Sequence, residues 1–224
     1  MSLAIKTWAN TNAEENAMND DHLDLWLRMI RMCREKDLSS KKVLDFGCNQ
    51  GGFLKTLYKK NPFEKAIGVD IAESSIEAAT LNLEGEPIDY VHTAFLKNYE
   101  DYFDIAYSHE VLYLLPNLNE HAQQIKSCLK DDGVYYAVIG CHIDNPLWPQ
   151  WHKIISDYSN VPVQNYSLDD YAQAFFKEGV SVSALPFSMD DFIELKPRNE
   201  YFPTVMDSLD YYTRHKIFFR FQKK

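Results

Sequence analysis

From Val43 onward, short apolar runs alternate with stripes of helical period, and this alternation limits the possible folds more than any other feature of the chain. Val43 to Phe46, Ala66 to Ile71 and Ile88 to His92 read as strands, with helices expected from about Gly52 to Lys60 and over Ile76, Ala79 and Leu83. Two more strands are expected at Phe103 to Ser108 and Val134 to Gly140, separated by a helix carrying Ala122, Ile125 and Leu129. Strands that alternate with helices join as right-handed βαβ units, which build a mostly parallel sheet with helices on both faces.

The flanks follow other patterns. Residues 12 to 36 are polar with a stripe of Leu23, Leu27 and Ile30, flanked by Trp26, Met29 and Cys33, so one or two amphipathic helices should precede the first strand. After residue 141, Pro146, Pro149 and Pro162 accompany Trp148 and Trp151 in a looser, part-helical insertion. A helix near Leu168 to Lys177, an apolar run Val180 to Leu185 and a strand His215 to Phe221 complete the chain. The expected organisation is a helical cap over residues 1–40, with Trp8 helping to close the site, and a main domain over 41–224 carrying a cap insertion at about 141–165.

Charge narrows the partners. Against 33 Asp and Glu stand 23 Lys and Arg, a formal charge of -10 with no basic stripe, which disfavours nucleic acid and anionic membranes. Cys33, Cys48, Cys128 and Cys141 are far apart, so neither a metal cluster nor a disulfide framework is expected. His142, Asp144 and His152 form a short, common pattern better read as a solvated loop than as metal ligands. No signal-peptide order and no apolar run near the ~20 residues of a membrane span are present, and the expected location is cytoplasmic.

In an open α/β sheet, ligands sit beyond the carboxyl ends of the strands, and the loop after the first strand usually touches them. Here that loop lies in VLDFGCNQGG, residues 43 to 52. Its glycines permit positive φ and a close approach of backbone to ligand. A dinucleotide would need a glycine where Asn49 stands, and Asp45 would set negative charge near its diphosphate; both count against an NAD-dependent oxidoreductase.

The stretch resembles the first motif, D-x-G-x-G-x-G, of the class I S-adenosylmethionine-dependent methyltransferases, with Asp45, Gly47 and Gly51 matching and Asn49 replacing the middle glycine. IGVDIA (67 to 72), FDIAYSHEVLYLL (103 to 115) and LKDDGVYYAVIG (129 to 140) are similar to the family's later motifs, in order and at the right spacing, although only Gly133 of a usual glycine pair survives. The resemblance covers roughly residues 40 to 222 and implies a Rossmann-like seven-stranded sheet of order 3-2-1-4-5-7-6 with the last strand antiparallel. It also implies S-adenosyl-L-methionine as cofactor, S-adenosyl-L-homocysteine as co-product, and methyl transfer to an oxygen or nitrogen of a small molecule.

Site roles follow from the same resemblance. Asp70 would bond both ribose hydroxyls, Asp45 would orient the methionine part, and Gly47, Cys48 and Gly51 would form the loop around it. Ile71 would pack on the adenine. Thr93 stands where the family carries an acidic residue, leaving adenine recognition to the backbone of Ala94. The carbonyl of Ser108 would face the cofactor's ammonium, and His109 is the candidate general base, though in-line alignment alone also serves such transfers. Tyr113, Trp148 and Trp151 suit a substrate lid or plain packing equally. The rival reading is a catalytically weak, methyltransferase-like binding protein acting through a partner, for which Asn49, Thr93 and the altered LKDDG speak; the retained Asp45, Gly47, Gly51 and Asp70 speak against it.

Overall fold

The computed structural model describes Ile5 and residues 12–224 other than 190 and 196, with side chains of the first helix from His22 onward; Trp8 lies outside the described residues. Seven strands form one sheet of order β3-β2-β1-β4-β5-β7-β6, the order expected. They are β1 Lys42–Phe46, β2 Lys65–Asp70, β3 Ile88–His92, β4 Phe103–His109, β5 Leu129–Ile139, β6 Ser181–Pro186 and β7 Ile217–Gln222. All neighbours pair in parallel except β7, which is antiparallel to both β5 and β6.

Two-residue periodicity divides the sheet between two cores. Val43, Ile105, Tyr107, Tyr136 and Phe218 face one side, packed by Trp26 and Met29 of α1 (Asn12–Met32) and Phe53 and Leu57 of α2 (Gly52–Lys60). Leu44, Phe46, Ala106, Tyr135 and Phe221 face the other, packed by Ala122 and Ile125 of α4 (Leu118–Cys128) and Tyr171 and Phe175 of α6 (Leu168–Lys177). Between β2 and β3 runs α3 (Glu73–Leu81). The central strands are buried on both faces, which is why they read as unbroken apolar runs.

Three features differ from the sequence reading. The N-terminal stripe is turned: Trp26, Met29 and Ile30 of a single helix, and Cys33 just past its end, are buried while Leu23 is 44% exposed. Strand β5 begins at Leu129, where the register jumps from Phe103↔Leu129 to Ile105↔Val134, so LKDDG is an irregularity within the strand rather than a turn before it. Asp132 takes φ 62 there.

A helix absent from the sequence reading also precedes β7. Thr204 and Asp207 form a reciprocal capping box for α7 (Val205–Asp210), which runs into a π-helical turn, Tyr211–His215. The T-x-x-D signal was there to find, but Val205 and Met206 are exposed and leave no apolar stripe. Tyr211 joins Tyr113, Cys141, Trp148, Trp151 and Ile155 in a third core beneath the insertion helix α5 (Trp148–Tyr158).

Helix α6 is held to the sheet by Phe175, which stacks on Phe221 at 3.8 Å and packs beside Tyr135. Phe175→Ala should lower the unfolding free energy by about 3–5 kcal/mol with the denaturant slope unchanged, as read by urea titration.

Candidate cofactor site

At the carboxyl ends of β1 and β2, the amides of Gly47 and Cys48 both donate to the carbonyl of Val69, at 2.8 and 3.0 Å, bending the chain over β2. Gly47, Asn49 and Gly51 take φ of 79, 45 and 80°. Asparagine is among the few side-chain-bearing residues that tolerate this region, so Asn49 keeps the loop conformation that a glycine would give.

Space is as restrictive as torsion. A Cβ on Gly47 would lie 2.4 Å from Val111, and one on Gly51 would lie 2.3 Å from the hydroxyl of Tyr90. Tyr90, opposite Gly68 in the β2–β3 register, lays its ring where a Cβ on Gly68 would project and donates its hydroxyl to the Gly51 carbonyl at 3.2 Å. Sequence reading did not single out Tyr90. Its only signal was an aromatic residue on one strand facing a glycine on the next.

Two carboxylates sit in this frame. Asp70, 7% exposed, accepts the amide of Asn49 at one oxygen and that of Ala72 at the other, both at 2.9 Å. It therefore braces the loop from both of its oxygens. Asp45 is 4% exposed, and its Oδ2 is buried with no hydrogen-bond partner among the described residues. Burial, and then the charge of Asp70, push its carboxyl up to about 8. Burial and the same two acids hold the Cys48 thiol well above its ordinary range, so this thiol stays protonated. Asn49 Oδ1 is a second buried acceptor without a partner among the described residues.

Around this pair, Ile71 leaves 40% of its surface open to a flat ring. Thr93 is half-buried at the start of a 3-10 helix, Thr93–Asn98. The Ala94 amide, expected to meet adenine, donates to His92 Nδ1 at 3.1 Å, so that ring has to turn away before the amide can serve a ligand. Ser108 shares a 2.6 Å hydrogen bond with Tyr135, whose hydroxyl also lies 3.2 Å from His121 Nε2. Burial lowers His121 to about 3, leaving it neutral.

His109 ends β4 opposite Val138, and its Nε2 is buried without a partner among the described residues. Burial, then the charge of Lys216, then His22 hold it well below the ordinary histidine range. Beside it, Glu110 adopts φ 55 and accepts the Gly140 amide at 3.0 Å, the Tyr211 hydroxyl at 3.3 Å and the ammonium of Lys216. Burial alone would raise Glu110; the ammonium beside it keeps it below its ordinary range. Lys216 is only 2% exposed and was not anticipated, since a single lysine ahead of an apolar strand carries no signal of a buried partner.

Tyr113, Trp148 and Trp151 are 5, 2 and 5% exposed. The indole of Trp148 donates to Asn165 and that of Trp151 to the Tyr201 carbonyl, at 2.8 and 2.7 Å. With Cys141, Ile155 and Tyr211 they form a packed cluster. His142 Nε2 lies 2.7 Å from the His215 carbonyl, His152 packs edge-on to Trp148, and no group of three metal-ligating side chains occurs among the described residues. No described helix is long and apolar enough to cross a membrane.

Comparison with known proteins places the chain in a family and supports its fold. Residues 18–180 match the sequence model of a family described as a methyltransferase domain, and the chain belongs to that family. It is 35% identical over 111 residues to a ribosomal protein L11 methyltransferase of Dictyoglomus turgidum, a match spanning 47% of this chain and only 35% of that relative's length. Among solved structures, a putative methyltransferase of Haloferax volcanii in complex with the Trm112 methyltransferase activator superposes with a TM-score of 0.79 at 18% identity, covering 95% of this chain and 94% of the other. An S-adenosylmethionine-dependent methyltransferase from Mesorhizobium loti gives a TM-score of 0.67 at 14% identity, with 92 and 100% coverage. At such identities the two structures establish the fold.

The buried Glu110–Lys216 pair yields a test. Lys216→Met leaves the carboxylate buried without its cation and should cost about 3–5 kcal/mol of stability near pH 7. In the parent protein Glu110 is depressed, so its contribution is present above the ordinary glutamate range and is lost as pH falls through the folded value. In the variant the unpaired acid takes up a proton instead, so urea titrations should find the gap between the two proteins narrowing from pH 7.5 to pH 5. A gap independent of pH would contradict this.

Proposed function

We propose that the protein is an S-adenosylmethionine-dependent methyltransferase that methylates an oxygen or nitrogen of a small molecule and releases S-adenosylhomocysteine. The orphaned Oδ2 of Asp45 carries the reading. A buried acceptor without a partner is costly, and a ligand ammonium, directly or through one water, supplies what it lacks. The glycine loop leaves the backbone open to the ligand's methionine part, Asp70 at the end of β2 is the carboxylate for a ribose, and Ile71 offers an apolar face to adenine. The cofactor supplies a methyl group activated on a positively charged sulfur. The chain's own residues hold that group in line with the acceptor, and His109 Nε2 is placed to receive a proton.

A second reading has the protein act with a bound activator protein. The near-complete superposition on a methyltransferase found in complex with such an activator supports it. Strand β3 is an edge of the sheet, and Leu81 and Phe95, 84 and 54% exposed, lie on the elements flanking it.

Calorimetric titration with S-adenosylmethionine, S-adenosylhomocysteine and NAD tests the first reading. Binding of the first two ligands alone, lost in Asp70→Ala, is the expected result. Asp45 adds a proton signature. Its folded value of about 8 leaves it mostly protonated at pH 7, and an ammonium bound beside it favours the carboxylate. Binding should therefore release close to ~1 proton at pH 7 and little at pH 9, measured in buffers of different ionisation enthalpy, and Asp45→Asn should abolish the release. Binding with no proton release at pH 7 would remove Asp45 from the site.

A further inference from the structure

Resting on that reading, two imidazoles at the end of β4 define how the acceptor loses its proton. His22 of α1 meets His109 edge-on, with ring centroids 4.9 Å apart and planes at 79°. One turn along the same helix, Trp26 is 8% exposed and packs on Phe53 of α2, so the helix is held in register with the sheet. His109, His121 and His142 each leave one ring nitrogen buried without a partner among the described residues; in His121 and His142 it is Nδ1, their Nε2 meeting the Tyr135 hydroxyl and the His215 carbonyl, whereas in His109 it is Nε2, at the end of the strand that pairs with β1. A buried polar atom left open beside a ligand loop asks for a group from that ligand or its co-substrate.

We propose that the acceptor is a hydroxyl whose proton passes to His109 Nε2 as the methyl group arrives, and that His22 is the positioning residue for His109. An amine can attack with its lone pair and shed a proton afterwards, but a neutral hydroxyl is a poor nucleophile until its proton is taken. The acceptor oxygen forms the C–O bond, the C–S bond breaks with its electron pair left on sulfur, and the hydroxyl proton moves to Nε2. The positive charge lost from sulfur reappears on the imidazole, so the net charge of the site is constant. The charged and titratable groups bearing on His109 are Lys216, just ahead of β7, and His22 of α1, while its neighbour Glu110 is paired with Lys216 and also attracts His22. Burial first, then Lys216 and His22, disfavour a proton on His109, so Nε2 is unprotonated at neutral pH and takes the proton only as positive charge leaves the sulfur.

The test is a pH titration of the histidine ring nitrogens by NMR, on 15N-histidine-labelled protein saturated with S-adenosylhomocysteine, with His109→Gln assigning the signal. His22→Gln and His22→Phe should each raise the His109 midpoint by about half a pH unit or more, since both remove a like charge roughly 5 Å away. If His22 only packs, His22→Phe leaves the midpoint unmoved and the proposal falls. A second arm incubates the protein with tritiated S-adenosylmethionine and a protein-free metabolite extract. An O-methylated product supports the proposal, and an N- or C-methylated product overturns it. Failure to bind S-adenosylhomocysteine at all would instead overturn the transfer reading on which this rests.

Discussion

The carbonyl of Val69 accepts two amides, those of Gly47 and Cys48, and the rest of the site depends on that junction. It bends the chain leaving β1 across the end of β2 and obliges the next residues into left-handed conformations. Asp70, the residue following Val69, then ties the loop from below through the Asn49 amide. Tyr90 closes it from the side, filling the space that side chains at Gly51 and Gly68 would need. The bare backbone of this loop is thus enforced by neighbours as well as permitted by glycine, and it leaves Asp45 buried with an oxygen unpaired.

That arrangement is expensive in the absence of a ligand. Burial, and then the nearby charge of Asp70, raise the cost of ionising Asp45. A second charged cluster, Glu110 with Lys216 and Tyr211, lies at the ends of β4 and β5, and here each group is satisfied within the protein. The two differ: in the brace charges cancel internally, whereas Asp45 Oδ2 is buried with no partner among the described residues. The pair of imidazoles, His22 and His109, lies beside the brace, and the cationic Lys216 within it holds His109 neutral.

Much of this was legible because period and spacing are local properties. The strands from Val43 to His92, the helices Gly52–Lys60 and Leu168–Lys177, and the antiparallel last strand all follow from runs that each element carries in its own sequence or from motifs in order. The loop carrying Asp45, Gly47 and Gly51, and Asp70 at the end of β2, could be placed for the same reason. Tyr90, His22 and Lys216 were not, because each acts on residues far along the chain: Gly51, His109 and Glu110 are 39, 87 and 106 positions away. The short helix before β7 escaped because its exposed Val205 and Met206 face away from the core, and the burial of Tyr113, Trp148 and Trp151 rests on partners far along the chain, Trp151 bonding the Tyr201 carbonyl and all three packing with Tyr211.

The most direct test of the account is a crystal structure of the protein grown with S-adenosylhomocysteine. The account predicts the ligand's ammonium beside Asp45 Oδ2, directly or through one water, its ribose hydroxyls on Asp70, and its sulfur directed toward His109. A ligand bound elsewhere, or a ribose remote from Asp70 with Asp45 still unpartnered, would contradict it.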